Sequence, residues 1–104
     1  MSYDKQWAED ARLAILGELA QQRDARPNSL TLTRVIEALG VRRPREWVEN
    51  QLRFLADTGA IALTETDLPG LGKVAVATIT RTGRDHVEQR VRLAGVTPPA
   101  DIEG

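Results

Sequence analysis

The sequence contains no cysteine, a single histidine (His86) and only two serines, Ser2 and Ser29. The lack of cysteine excludes disulfide bonds, thiolate nucleophiles and cysteine-ligated metal sites. The histidine and the serines fall in different predicted elements, so a Ser-His-Asp triad cannot be assembled from them. No stretch approaches the roughly 18 apolar residues that a membrane-spanning helix needs. We therefore expect no enzymatic activity, no metal, no cofactor and no contact with a membrane.

The chain is also short. Its 104 residues fit one domain, and 41% hydrophobic residues can build a core. The polar start is unlike a signal peptide, so we predict a cytoplasmic protein. We place the domain at residues 1–94. Residues 95–104 carry two prolines without an apolar period, and we expect a flexible tail there or a short docking segment.

The net charge of the whole chain is small, but one segment carries an excess of positive charge. The net charge is −1, so the chain as a whole has no attraction for a polyanion. Residues 23–56 nevertheless carry seven arginines against four acidic residues. Any binding to nucleic acid must therefore come from a local patch in this segment.

Apolar residues at helical spacing predict three helices in the first half of the chain. The first covers residues 4–22. The second is short, with Thr31 as its N-terminal cap and Gly40 as its C-terminal stop. The third covers residues 44–58, where Pro44 suits the first helical position. Two short helices joined by a few residues are typical of a helix-turn-helix.

The period changes to two after Gly59. The β-prone runs 60–66 and 73–80 flank a loop of six residues, which predicts a hairpin. Thr80 or Thr82 then caps a last helix, along which Val87, Val91 and Ala94 line one face. The predicted fold is α+β and mainly α, in the order helix, helix, helix, strand, strand, helix.

Two motifs carry a resemblance to a known group of proteins. Residues 52–61 read LRFLADTGAI and residues 79–84 read ITRTGR. They resemble the end of the recognition helix and the segment after the wing in winged helix-turn-helix regulators of the MarR, PadR and ArsR kind. The length and layout are also similar to small winged-helix proteins of Mu-like prophages. The resemblance implies transcription regulation by a dimer that binds duplex DNA, with the third helix in the major groove.

The resemblance and the helical period together select candidate DNA-binding residues. On the third helix Arg45 and Arg53 can contact guanine and Asn50 can contact adenine. Arg42 and Arg43, just before the helix, can hold phosphates. The full predicted set is Arg42, Arg43, Arg45, Glu49, Asn50, Arg53 and Lys73, the last from the wing. We expect the four arginines from 42 to 53 to form one basic patch.

A different reading of the same residues remains open. Glu46, Glu49 and Asp57 balance the arginines of the third helix, and i, i+4 pairs would make it a solvated, neutral face. Leu68 and Leu71 place apolar side chains at the wing tip. The alternative function is therefore a winged-helix module that binds another protein, in phage assembly or as a subunit of a larger complex.

The first helix is apolar over a wide surface, which predicts either a deeply buried helix or a second contact with another subunit. The resemblance implies a dimer through the first and last helices. The predicted interface residues are Trp7, Leu13, Leu16, Val87 and Val91. We expect His86 at the surface near this interface.

Overall fold

The computed structural model describes residues 2–21, 29–38, 43–70 and 72–99. Its elements are α1 (Ser2–Gln21), α2 (Ser29–Ala38), α3 (Arg45–Asp57), β1 (Ile61–Leu68), β2 (Gly72–Ile79) and α4 (Arg81–Val87). The predicted order of elements is confirmed. Within these described ranges, no helix is both long and apolar enough to cross a bilayer.

One hydrophobic core joins the helices to the hairpin. On α3 the inward residues Val48, Leu52 and Leu55 are fully buried, as their i, i+4, i+7 spacing predicts. They pack with residues of the other elements, among them Ala11, Leu13, Ile15, Leu16, Leu19, Leu32, Ile36, Ala60, Ile61, Ala77 and Val96. The core therefore fixes which face of α3 turns to solvent.

Local signals set two of the helix ends. Thr80 caps α4, because its side-chain oxygen accepts a hydrogen bond from the Gly83 N–H. Gly59 closes α3 with a φ of 84°, in the left-handed region that favours glycine. Two expectations were wrong by a short distance. Pro44 is the N-cap of α3 and not its first helical residue, and Thr31 lies inside α2. Gly40 falls outside the described residues.

The hairpin is longer than predicted. β1 and β2 pair antiparallel, and the register continues to Asp67 opposite Lys73 and Leu68 opposite Gly72. The connection is therefore residues 69–71 and not the expected six-residue loop. Cross-strand pairing extends the strands into residues whose composition favours a turn, which the local sequence could not show. Leu68 is half-buried, and Leu71 falls outside the described residues.

The last helix is shorter than predicted, because α4 ends at Val87 and Gln89 takes a left-handed conformation with φ of 66°. The chain then folds back over His86, which is fully buried. The Leu93 N–H donates to Nδ1 of His86 at 3.0 Å. The Nε2–H can then donate to the Thr97 carbonyl, also at 3.0 Å. The expectation of a surface histidine was wrong, since His86 anchors this turn.

The segment predicted to be a flexible tail is packed over its first residues. Val96 and Thr97 are buried. Thr97 donates from its backbone N–H to the Glu9 carbonyl at 3.3 Å, and from its hydroxyl to a carboxylate oxygen of Asp10 at 2.6 Å. Residues 95–99 therefore belong to the domain, which corrects the boundary at residue 94. Residues 100–104 lie outside the described part.

Candidate nucleic-acid interface

The outer face of α3 is polar and exposed. Glu46, Asn50, Arg53 and Asp57 all lie there, exposed to solvent. These residues point outward because the buried residues occupy the opposite side of the helix, and residues three and four apart share one face. The face carries both signs of charge. It can therefore form directed hydrogen bonds but exerts little overall electrostatic pull.

Arg53 forms a hydrogen bond with Asn50, one turn earlier in α3. Its Nη1 donates to the amide oxygen of Asn50 at 2.9 Å. Arg45 has a looser partner, because its Nε lies 3.8 Å from a carboxylate oxygen of Glu49. An exposed ion pair of this kind contributes only about 0.2–1 kcal/mol. Neither contact prevents the arginine from turning to a ligand.

A cleft of about 310 Å³ separates α3 from the hairpin. Glu49 and Arg53 line it on the helix side, and Lys73 lines it on the strand side. Glu65 is a further lining residue, so two anionic and two cationic groups face the same space. The structure thus brings predicted residues Glu49, Arg53 and Lys73 together.

Arg43 lies apart from this group. Its guanidinium carbon is 5.3 Å from the ring centroid of Trp7 and 5.3 Å from that of Trp47, within cation–π range. Trp47 and Arg45 are two positions apart on α3, about 200° around the helix axis. Arg43 therefore lies on the flank of α3 opposite to Arg45. Arg42 falls outside the described residues, so one shared patch of all four arginines stays a prediction.

Arg12 supports α3 on the side that faces α1, and its role was not predicted from the sequence. Arg12 of α1 donates to the side-chain oxygen of Gln51 at 2.9 Å and to the Gly95 carbonyl at 2.7 Å. Its guanidinium carbon lies 3.7 Å from the centroid of the Phe54 ring. Burial lowers the pKa of Arg12 from its usual value, while the charge of Glu9 partly opposes this change. The sequence signal for this role is an arginine among the apolar residues on the inward face of the first helix.

The residues predicted for a dimer interface divide into two groups. Leu13 and Leu16 are buried in the chain's own core, so the argument that they would otherwise face water was wrong. Val87 is half-buried and packs against the same core. Trp7 and Val91 are 46% and 43% exposed. The broad apolar surface of α1 is thus largely covered within one chain.

No model of a known protein family and no curated protein matches the sequence. Among solved structures, the chain is similar to Bacillus subtilis PadR in complex with operator DNA, with a TM-score of 0.61 and 21% identity. The match covers 85% of this chain and 51% of that one, so this chain spans about half the length of that protein. The chain has a winged-helix fold. In this fold α2 and α3 form the helix-turn-helix, and the β1–β2 hairpin is the wing.

Fold alone does not assign a function, because one fold hosts many activities. The winged-helix fold indicates the candidate surface. In it, α3 and the wing together form an exposed polar surface with the cleft between them. Elsewhere in the described residues, no three histidine or acidic side chains cluster in a way that could hold a metal ion. The candidate site is therefore a binding surface built on α3.

Proposed function

We propose that this protein binds duplex DNA as a homodimer and regulates transcription, with α3 in the major groove and the wing beside it. The observation that carries the proposal is the exposed outer face of α3, where Asn50 and Arg53 project away from a fully packed core. The winged-helix fold supports it, since this helix is suited to the width of the groove. Binding to DNA also implies a cytoplasmic protein. Its encoding by a prophage is proposed on size and layout only.

Arg53 is the central reading residue in this proposal. A guanidinium can donate to both O6 and N7 of guanine, and a good pair of this kind discriminates by about 1–3 kcal/mol. The hydrogen bond to Asn50 orients the Arg53 guanidinium before DNA arrives, which reduces the entropy lost on binding. Arg45 and Lys73 supply charge on the wing side of the helix.

The proposed homodimer is supported by exposed apolar surface near α4. Val91 is an exposed hydrophobic residue just after α4, and two copies could cover it together. A dimer would also place two α3 helices on neighbouring half-sites, which raises the affinity and length of the recognised sequence.

Fluorescence anisotropy of labelled duplexes tests the proposal. Random-sequence duplex at low salt should bind, and affinity should fall steeply as salt is added. Selection from a random library should first identify the DNA sequence that the parent protein prefers. The variant Arg53→Ala should then lose that preference while its thermal stability is unchanged. Arg92→Ala is the matched control, because Arg92 is an exposed arginine beyond α4. No binding at low salt and tens of micromolar protein would refute the proposal.

A protein partner is the second candidate function, and the acidic residues favour it. Glu46 and Asp57 on α3, and Glu65 and Asp67 on the wing, are exposed and would repel phosphates. The substitution Asp67→Asn separates the two functions. If the wing approaches DNA, removing this charge should tighten binding; an unchanged affinity would favour a protein partner for the wing.

A further inference from the structure

Arg12 of α1 joins three segments of the chain through its guanidinium group. Its Nε donates to the side-chain oxygen of Gln51 in α3 at 2.9 Å, and its Nη1 donates to the carbonyl oxygen of Gly95, beyond α4, at 2.7 Å. Its guanidinium carbon lies 3.7 Å from the centroid of the Phe54 ring, also on α3. We call these four residues the Arg12 network. The network connects α3 both to α1 and to the segment after α4.

Gln51 is fixed on the buried side of α3. It is only 6% exposed. Its Nε2 donates to the Trp47 carbonyl, one turn earlier in the helix, at 3.2 Å, while its oxygen accepts from Arg12. Both ends of the amide therefore have a partner, and one of the two partners belongs to α1.

Phe54 is held between Arg12 and the backbone of Gly95. A Cβ added to Gly95 would lie 2.5 Å from Cζ of Phe54 and 3.3 Å from Nη1 of Arg12, so the chain after α4 lies directly against the ring. A planar guanidinium suits this place, because it can lie over a ring and donate hydrogen bonds in its own plane. Lysine has a compact charge on a flexible stem and cannot do both.

The network bears on the outer face of α3 because of where its contacts lie along the helix. Gln51 directly follows Asn50, and Phe54 directly follows Arg53. The inner pair and the outer pair therefore move together if α3 rotates about its axis. A rotation of about 10° displaces a side-chain atom about 6 Å from the axis by about 1 Å. A binding geometry tolerates only about 0.5 Å, so such a rotation would disrupt contacts to base edges.

We propose that Arg12 is a positioning residue for DNA recognition. It fixes the rotation of α3 about its axis, and it thereby aligns Asn50 and Arg53 with the base edges. Arg12 itself does not contact DNA, because it donates toward the buried side of α3 and toward Gly95. This inference rests on the proposed binding of DNA by α3. It assigns to a charged residue of α1 an effect on sequence preference and not on the attraction to phosphates.

A purely structural role of Arg12 predicts a different result. A loss of stability lowers the fraction of folded protein, which weakens binding to all sequences by the same factor. A rotated α3 instead loses base contacts, so it weakens binding to the preferred sequence more than to others. The ratio of the affinities for preferred and random duplex separates the two roles.

The variant Arg12→Lys tests the proposal, because it keeps the positive charge and removes the planar, forked donor. Anisotropy of labelled duplexes should show that ratio fall by about 5- to 150-fold, the discrimination of one good bidentate base contact. Arg92→Lys is the matched control, because Arg92 is exposed beyond α4, and it should leave the ratio unchanged. Both variants are compared at a temperature at which circular dichroism shows them folded.

Two further variants separate the parts of the network. Arg12→Met removes the charge as well and should leave the slope of log affinity against log salt unchanged, since no phosphate contact is lost. Gln51→Met removes the amide from the α3 side and should lower the ratio as Arg12→Lys does. The double variant Arg12→Lys/Gln51→Met should lower it little further, because both changes remove the same contact. If Arg12→Lys does not fold, the ratio for Gln51→Met decides the proposal.

Four outcomes would overturn the inference. An unchanged ratio in folded Arg12→Lys would separate Arg12 from recognition while leaving the proposed function intact. A salt slope reduced by about one in Arg12→Met would make Arg12 a phosphate contact. A parent protein that binds every duplex equally would leave no base contact for Arg12 to position. Absence of any anisotropy change with the parent protein would refute the proposed function and this inference with it.

Discussion

Two glycines lie inside helices, and the structure predicts opposite results when each is changed to alanine. A Cβ added to Gly83 in α4 would lie 2.3 Å from the Ala60 carbonyl oxygen and 2.8 Å from Cγ1 of Ile79. A Cβ added to Gly17 in α1 would meet no atom within 4 Å. The two substitutions are chemically identical, so any difference in stability comes from the space around each position.

The magnitudes follow from helix propensity and packing. Alanine is favoured over glycine in a helix interior by about 1 kcal/mol. For Gly17→Ala nothing opposes this gain, and the melting temperature should rise by about 4–8 °C in a domain of this size. For Gly83→Ala, overpacking costs about 1–3 kcal/mol. The Ala60 carbonyl also accepts the Thr80 N–H at 3.0 Å, and weakening that bond costs about 1 kcal/mol. After the propensity gain, the net loss should be about 2 kcal/mol.

Urea denaturation followed by circular dichroism measures both free energies of unfolding on the same scale. It should be repeated at two protein concentrations, because a contact between copies along α1 would make the Gly17→Ala result depend on concentration. Gly83→Ala as stable as the parent would refute the close packing of α4 against Ala60. A destabilised Gly17→Ala at every concentration would refute the open surrounding of that position.

Three further predictions follow from the core, the buried histidine and the assembly. Leu55→Ala should lower the free energy of unfolding by about 2–5 kcal/mol, because Leu55 is fully buried; a small change would place it outside the core. His86→Leu should lower it by at least about 2 kcal/mol and speed amide exchange at Leu93, since the Leu93 N–H and the Thr97 carbonyl lose their partner. Unchanged exchange at Leu93 would argue against this anchor. Light scattering should give twice the monomer mass, and a monomer at tens of micromolar would contradict the proposed dimer.

The sequence was sufficient wherever one local feature decided the structure. The spacing of Val48, Leu52 and Leu55 identified the inward face of α3, and the same residues are fully buried. Gly59 and Thr80 ended and began helices for backbone reasons that act within a few residues. These features need no knowledge of the rest of the chain.

The larger errors in the predictions lie where distant segments meet. Val87, Val91 and Ala94 keep a helical spacing, so the pattern extended α4 over residues that instead turn back at Gln89. The gain that favours the turn is the pair of hydrogen bonds to His86. Neither bond is local along a helix. Periodicity alone therefore could not distinguish a continued helix from a segment folded over a buried polar side chain.

The arginines of the candidate site show the same limit for function. Arg43 and Arg45 are neighbours in sequence, and a count of charge assigns them to one patch. Helix geometry instead places Trp47, and Arg43 with it, on the opposite flank of α3 from Arg45. The division changes what the charges can do. One patch would attract a polyanion from a single direction, whereas cations on both flanks suit a helix that lies between two strands.

The acidic residues then determine how such a surface would discriminate. With a net charge of −1 and carboxylates exposed on both α3 and the wing, the proposed attraction to DNA in general would be weak. In the proposed complex, contacts of Arg45 and Lys73 with phosphates would offset that repulsion where Arg53 also meets the base edges. A nearly neutral reading surface would thereby reduce binding to arbitrary sequences more than binding to the matched one. The balance of charge that argues against strong DNA binding is, for this reason, compatible with selective binding.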